Sequence, residues 1–166
     1  MKKLIMLLMV LTTAIVSAES NWTVEDNEMY VSGSTVHGHK FGYFKDEKWC
    51  GKELVFIQWT SYEEGLEKFK GIDVLIELRS NGELIDKIPA TFTAGIRFAE
   101  LMTIAEFKTV LLSNNLADQL KNTKEIEVEF VEPKEFVALL DIKSDTFNAL
   151  GFPKAYLQKY NACKVE

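Results

Sequence analysis

Apolar and polar residues alternate with a period of two along much of this chain, and helical spacing is confined to short stretches. The cleanest alternation covers residues 125–130, with Ile126, Val128 and Phe130 on one side and Glu125, Glu127 and Glu129 on the other. Successive side chains of an extended chain point to opposite faces, so this predicts a strand with one face in the core and one in water. Residues 92–98 repeat the pattern: Phe92, Ala94, Ile96 and Phe98 alternate with Thr93, Gly95 and Arg97, which predicts that the first set is buried. Residues 54–59 are apolar on both faces, as a central strand requires.

Other strands are expected at 22–24 and 28–32, around Asp26-Asn27, and at 41–45. Ser80-Asn81-Gly82-Glu83 separates apolar runs at 73–79 and 84–88. Asn-Gly tolerates positive φ at both positions, so a tight hairpin is predicted. Residues 136–142 are expected to pair with 125–130 across Glu132-Pro133-Lys134, and 104–112 fit strand or helix equally.

A charged connector at 63–69, ending at Gly71, admits a helical turn. Ser113-Asn114-Asn115 offers an N-cap to a short edge helix carrying Leu116, Ala117 and Leu120. Phe152, Ala155, Tyr156, Tyr160 and Cys163 form one apolar stripe at helical spacing, with Pro153 in the first turn, which predicts a C-terminal helix packed on the core. Many short strands with few helices make the expected fold mainly β: a β-sandwich or barrel of antiparallel sheets with a C-terminal helix and one short edge helix.

The first 18 residues read as a secretory signal peptide. Lys2 and Lys3 precede an apolar stretch of about a dozen residues, and Val16-Ser17-Ala18 gives a small-residue cleavage site. A permanent span needs roughly 20 apolar residues, so cleavage is favoured over anchoring and no permanent membrane span is expected afterwards. The Lys-Lys start has a bacterial or phage style, which implies the periplasm or the medium. Residues 19–166 then form a single β-rich domain, with no repeat, linker or low-complexity segment.

The net charge of −6 argues against nucleic acid, which selects clustered Lys and Arg. Only two cysteines are present, Cys50 and Cys163. In an oxidising compartment they are expected to form one disulfide, closing a loop of roughly 110 residues that the chain-entropy model values at about 4.7 kcal/mol.

Chemistry is sparse. His37 and His39 are the only histidines, and on an extended chain two such residues share a side, which makes them candidate metal ligands. A site needs further ligands that the spacing does not supply, so no metal and no cofactor are expected. Glu63-Glu64 reads as the solvated face of a connector rather than an acid–base pair. There is no nucleophile turn and no phosphate loop. Trp59 is expected in the core strand and Trp49 against the disulfide.

Leu116-Ala117-Asp118-Gln119-Leu120-Lys121, the runs at 125–130 and 136–142, then Phe147, Gly151-Phe152 and Ala155-Tyr156 resemble the C-terminal half of invasion-associated locus B proteins. Thr146-Phe147-Asn148 stands where that family has Ser-Leu, and this chain has fewer cysteines. The resemblance implies a periplasmic protein with a signal peptide and a compact β-sandwich. It carries over no catalytic residue.

Together these readings predict a non-enzymatic secreted or periplasmic binding protein acting on a protein partner in the cell envelope, an envelope component or an inhibited extracytoplasmic enzyme. The alternatives are a small carboxylate-dependent hydrolase, or a metal-binding module built on His37 and His39.

Overall fold

The computed structural model describes residues 22–44, 52–98, 101–111 and 115–160. The expected signal peptide, Trp49, Cys50, Cys163 and the Ser113-Asn114 cap lie outside them.

Nine strands form one antiparallel sheet: β1 (Thr23–Val24), β2 (Glu28–Ser32), β3 (Lys40–Phe44), β4 (Glu53–Ser61), β5 (Asp73–Ser80), β6 (Glu83–Phe98), β7 (Met102–Leu111), β8 (Glu125–Glu132) and β9 (Ser144–Asn148). Their order in space is β1-β2-β3-β4-β7-β6-β5-β8-β9. The sheet curls into a half-barrel whose two ends approach one another. Gly33 bridges Phe147, and the Ser34 amide donates to the Thr146 carbonyl at 2.7 Å. This is the antiparallel β-rich class that the alternation predicts, and 104–111 belong to strand β7.

Three short helices, α1 (Asn115–Leu120), α2 (Lys134–Val137) and α3 (Phe152–Tyr160), accompany the sheet. The apolar residues that marked two of them are buried: Leu116, Ala117 and Leu120 in α1, and Phe152, Ala155 and Tyr156 in α3. The β5–β6 turn is the expected one, with Asn81 at φ 52° and Gly82 at φ 80°. The connector contains a 3-10 turn, Leu66–Phe69, with Leu66 fully buried.

Two expectations are overturned. Residues 136–142 do not pair with β8; the partner is β9, with Ile126 opposite Phe147 and Val128 opposite Asp145. The run opens with α2, and its buried members Phe136, Val137 and Leu140 have helical spacing, i, i+1 and i+4. A short continuous apolar run does not by itself tell strand from helix, and here the helix wins because it drives Phe136 into the barrel. The Phe136 ring lies 5.7 Å from Phe107 and 6.0 Å from Phe130, which touches Trp59 at 5.0 Å. Such aromatic pairs add about 0.5–1.5 kcal/mol each beyond area burial.

The second correction concerns β6. Phe92 faces Phe107 in the core, but the next register pair is Ala94 with Glu106, so Thr93 is an extra residue in the strand. One inserted residue moves every later side chain to the other face. Gly95 and Arg97 therefore stand opposite the inward residues Ala105 and Thr103, while Ile96 and Phe98 face outward, 63% and 59% exposed.

Candidate functional site

The two histidines are separated by their local backbone. His37 is exposed in a turn, whereas His39 at the edge of β3 is fully buried, so the extended geometry that would aim both at one ion is not formed. The His39 ring stacks on Trp59 at 3.7 Å between centroids. Its Nδ1 lies 2.9 Å from Asp145 Oδ2 and its Nε2 lies 3.1 Å from the Thr60 carbonyl oxygen. Both ring nitrogens therefore face oxygen atoms inside the protein, and neither is turned toward solvent. Among the described residues no group of three or more His, Cys, Asp or Glu is arranged to hold a metal ion.

Asp145, on β9, organises this cluster. Its Oδ1 accepts from the Thr35 amide (2.9 Å) and the Thr146 amide (2.7 Å), and its Oδ2 from the Val36 amide (3.0 Å) as well as His39. Burial pushes its carboxyl up, but the backbone and side chain of Thr35 and the amides of Val36 and Thr146 outweigh that, leaving it below its usual value. Gly33 permits this approach, since a Cβ there would stand 2.3 Å from Asp145 Oδ2. The cluster fastens the 33–39 loop to β9 at the seam of the half-barrel. It is enclosed, with His39 and Asp145 both buried. Sequence reasoning missed it because its partners lie more than a hundred positions away along the chain.

A second buried acid, Glu53, opens β4. Its Oε1 accepts from the Ala117 amide at 2.9 Å, and its Oε2 is buried without a hydrogen-bond partner among the described residues. Burial pushes its carboxyl up to about 7, against the opposing pull of the Ala117 amide; Asp118 and Asp86 push the same way as burial, and Lys121 pulls down. Strand parity offered the signal: Glu53 lies two residues before Val55, on the face that Ile57 and Trp59 line.

Glu63 and Glu64 are exposed on the connector, with Glu64 Oε1 3.1 Å from Arg97 Nη2. Trp59 sits in the core as expected and donates its indole N–H to the Ile142 carbonyl (2.8 Å). Trp22 is also buried, edge-on to Phe152, and donates to the Asn148 carbonyl (3.1 Å).

The outward-turned end of the β6–β7 hairpin is the feature with the plainest capacity for recognition. Ile96 lies opposite Ile104 and Phe98 opposite Met102 on the outer face; Leu101 in the turn is 68% exposed, and Tyr62, just past β4, is 71% exposed. The polar groups of this segment point the other way. Arg97 reaches Glu64 and the Thr103 hydroxyl, and Thr103 donates to Glu67 Oε1 at 3.2 Å. Clustered exposed apolar side chains are what a docking surface requires, and they are costly to leave in water otherwise.

No protein family, no curated protein and no solved structure matches this chain. Among the described residues no helix is long and apolar enough to cross a membrane.

Proposed function

We propose that the chain is an exported, non-enzymatic interaction protein that docks a protein of the cell envelope through the outer face of the β6–β7 hairpin. The supporting observation is the inverted pattern after Thr93: Ile96 and Phe98 are turned to solvent while Arg97 is turned inward. A strand that needed only to fold would place those residues the other way round. The apolar face supplies desolvation energy at the centre of a contact, and the acidic, charged remainder of the surface suits a polar rim.

The test expresses the full chain with its own N-terminal segment, immobilises it, and exposes it to an envelope extract alongside Phe98→Asp. A specific protein retained by the wild type, lost with Phe98→Asp, and binding the purified chain directly is the expected result. Retention that ignores Phe98 would remove the hairpin from the proposal.

A further inference from the structure

We infer that α1 is a pH-operated latch on the half-barrel, docked while the Glu53 carboxyl is protonated and released when that carboxyl ionises. The inference goes beyond the proposed docking function and is independent of the hairpin.

Glu53 is 1% exposed at the start of β4, so its carboxyl lies inside the protein rather than among the surface acids. Oε1 accepts from the Ala117 amide at 2.9 Å, and Oε2 is buried with no hydrogen-bond partner among the described residues. A neutral carboxyl bears such a site at modest cost. An ionised one bears the far larger cost of a charge withdrawn from water with a single hydrogen bond to offset it.

The charged groups around the carboxyl do not make up the difference. Asp118 and Lys121 face it from α1 and the turn that follows, and Asp86 from β6; the two acids oppose ionisation and the lysine favours it. The Lys121 ammonium is itself engaged by Asp118 at 2.7 Å and lies 5.4 Å from the Tyr156 ring centre. Burial is the dominant cause, and the carboxyl is pushed up to about 7.

The helix is the element that yields. It is six residues long, too short to persist without tertiary support. That support is the burial of Leu116, Ala117 and Leu120 and the bond from the Ala117 amide to Glu53 itself. β4, by contrast, is paired with β7 from Glu53↔Leu111 to Ser61↔Thr103 and with β3 from Tyr43↔Val55 to Lys40↔Gln58. Withdrawing α1 returns water to the carboxylate and leaves the ladder whole, whereas moving Glu53 would break into it. Once α1 is released, Glu53 titrates at its ordinary value near 4.5, against about 7 when docked. Between those values the docked form holds a proton that the released form has shed, so docking weakens as pH rises across that window and is weakest above it.

Amide hydrogen exchange of the full chain, expressed with its own N-terminal segment, at pH 5 and pH 8 alongside Glu53→Gln tests this. Dividing wild-type rates by variant rates at each pH cancels the intrinsic base dependence of exchange. For the Ala117 and Lys121 amides that ratio is expected to rise about tenfold or more between the two pH values. At pH 8 both amides should also exchange faster in the wild type than those of Ile57 and Phe107, which sit in the central ladder, because the helix opens without the sheet. The Glu53 carboxyl carbon, followed by NMR in the wild type alone, should titrate with a midpoint near 7.

A ratio that stays constant with pH would overturn the inference. So would α1 amides that exchange no faster than the ladder, since opening would then be global unfolding. A carboxyl midpoint in the ordinary carboxylate range would overturn it without recourse to any variant.

Discussion

Strand β8 and the far end of β6 are built from the same kind of sequence and face opposite ways. In β8, Ile126, Val128 and Phe130 are buried and Glu125 is exposed, as strict alternation on a half-buried sheet demands. In residues 94–98 the alternation is equally regular, yet Ile96 and Phe98 meet solvent and Arg97 points inward. The difference is one residue, Thr93, which shifts the register between Phe92 and Ala94. Hydrophobic patterning tells which residues share a face. It does not tell which face is the core once a bulge intervenes.

The comparison is broken most severely in the core. Phe130→Ala empties a site packed against Trp59, Phe107 and Phe136, and should cost about 3–5 kcal/mol in denaturant unfolding, whereas Phe98→Ala should change stability by no more than about 0.5 kcal/mol. Equal losses at the two positions would mean that the hairpin end is core after all.

Asp145→Ala follows closely, because His39 and three backbone amides lose their acceptor inside the protein. A loss of about 3 kcal/mol is expected from the same unfolding measurement. Asp145 is held below its ordinary value, so its stabilising contribution is present above the unfolded carboxylate range and fades as pH falls through the lower folded value.

Glu53 works in the opposite sense. Its folded carboxyl titrates near 7 and its unfolded one near 4.5, so between those values the folded chain holds a proton that the unfolded chain has released. Stability from this group therefore falls as pH rises across that window, by about 3 kcal/mol in full. Glu53→Gln keeps an acceptor for the Ala117 amide and should flatten that decline, leaving the variant more stable than the wild type above pH 7. A pH profile of unfolding free energy that is identical in the two proteins would refute this.

The smallest effect sharpens the contrast. Deleting Thr93 removes the extra residue while keeping Ala94 opposite Glu106, so the chain should still fold and still expose Ile96.

Much of the fold was legible because its signals are local. The Asn81-Gly82 turn, the doubly apolar run that became β4 and the stripe on α3 each depend on residues within a few positions of one another. The pairing of β8 with β9 was not legible, since the apolar run at 136–142 competes for the same role and only the packing of Phe136 decides between them. Of the candidate site residues, His37 and His39 drew attention as chemical types, but the turn at 37–38 sends one to solvent and the other into the seam. The hairpin face escaped a sequence reading for the reason already given for Thr93: a bulge leaves no mark in the alternation itself.

Accessibility of the isoleucine methyl groups to a soluble paramagnetic agent, read by methyl NMR on dilute protein, tests the inverted hairpin directly. The Ile96 methyls should broaden strongly, while those of Ile76, Ile88 and Ile126, all fully buried, stay sharp. Ile96 signals as protected as those of Ile88 would place its side chain in the barrel and contradict the account.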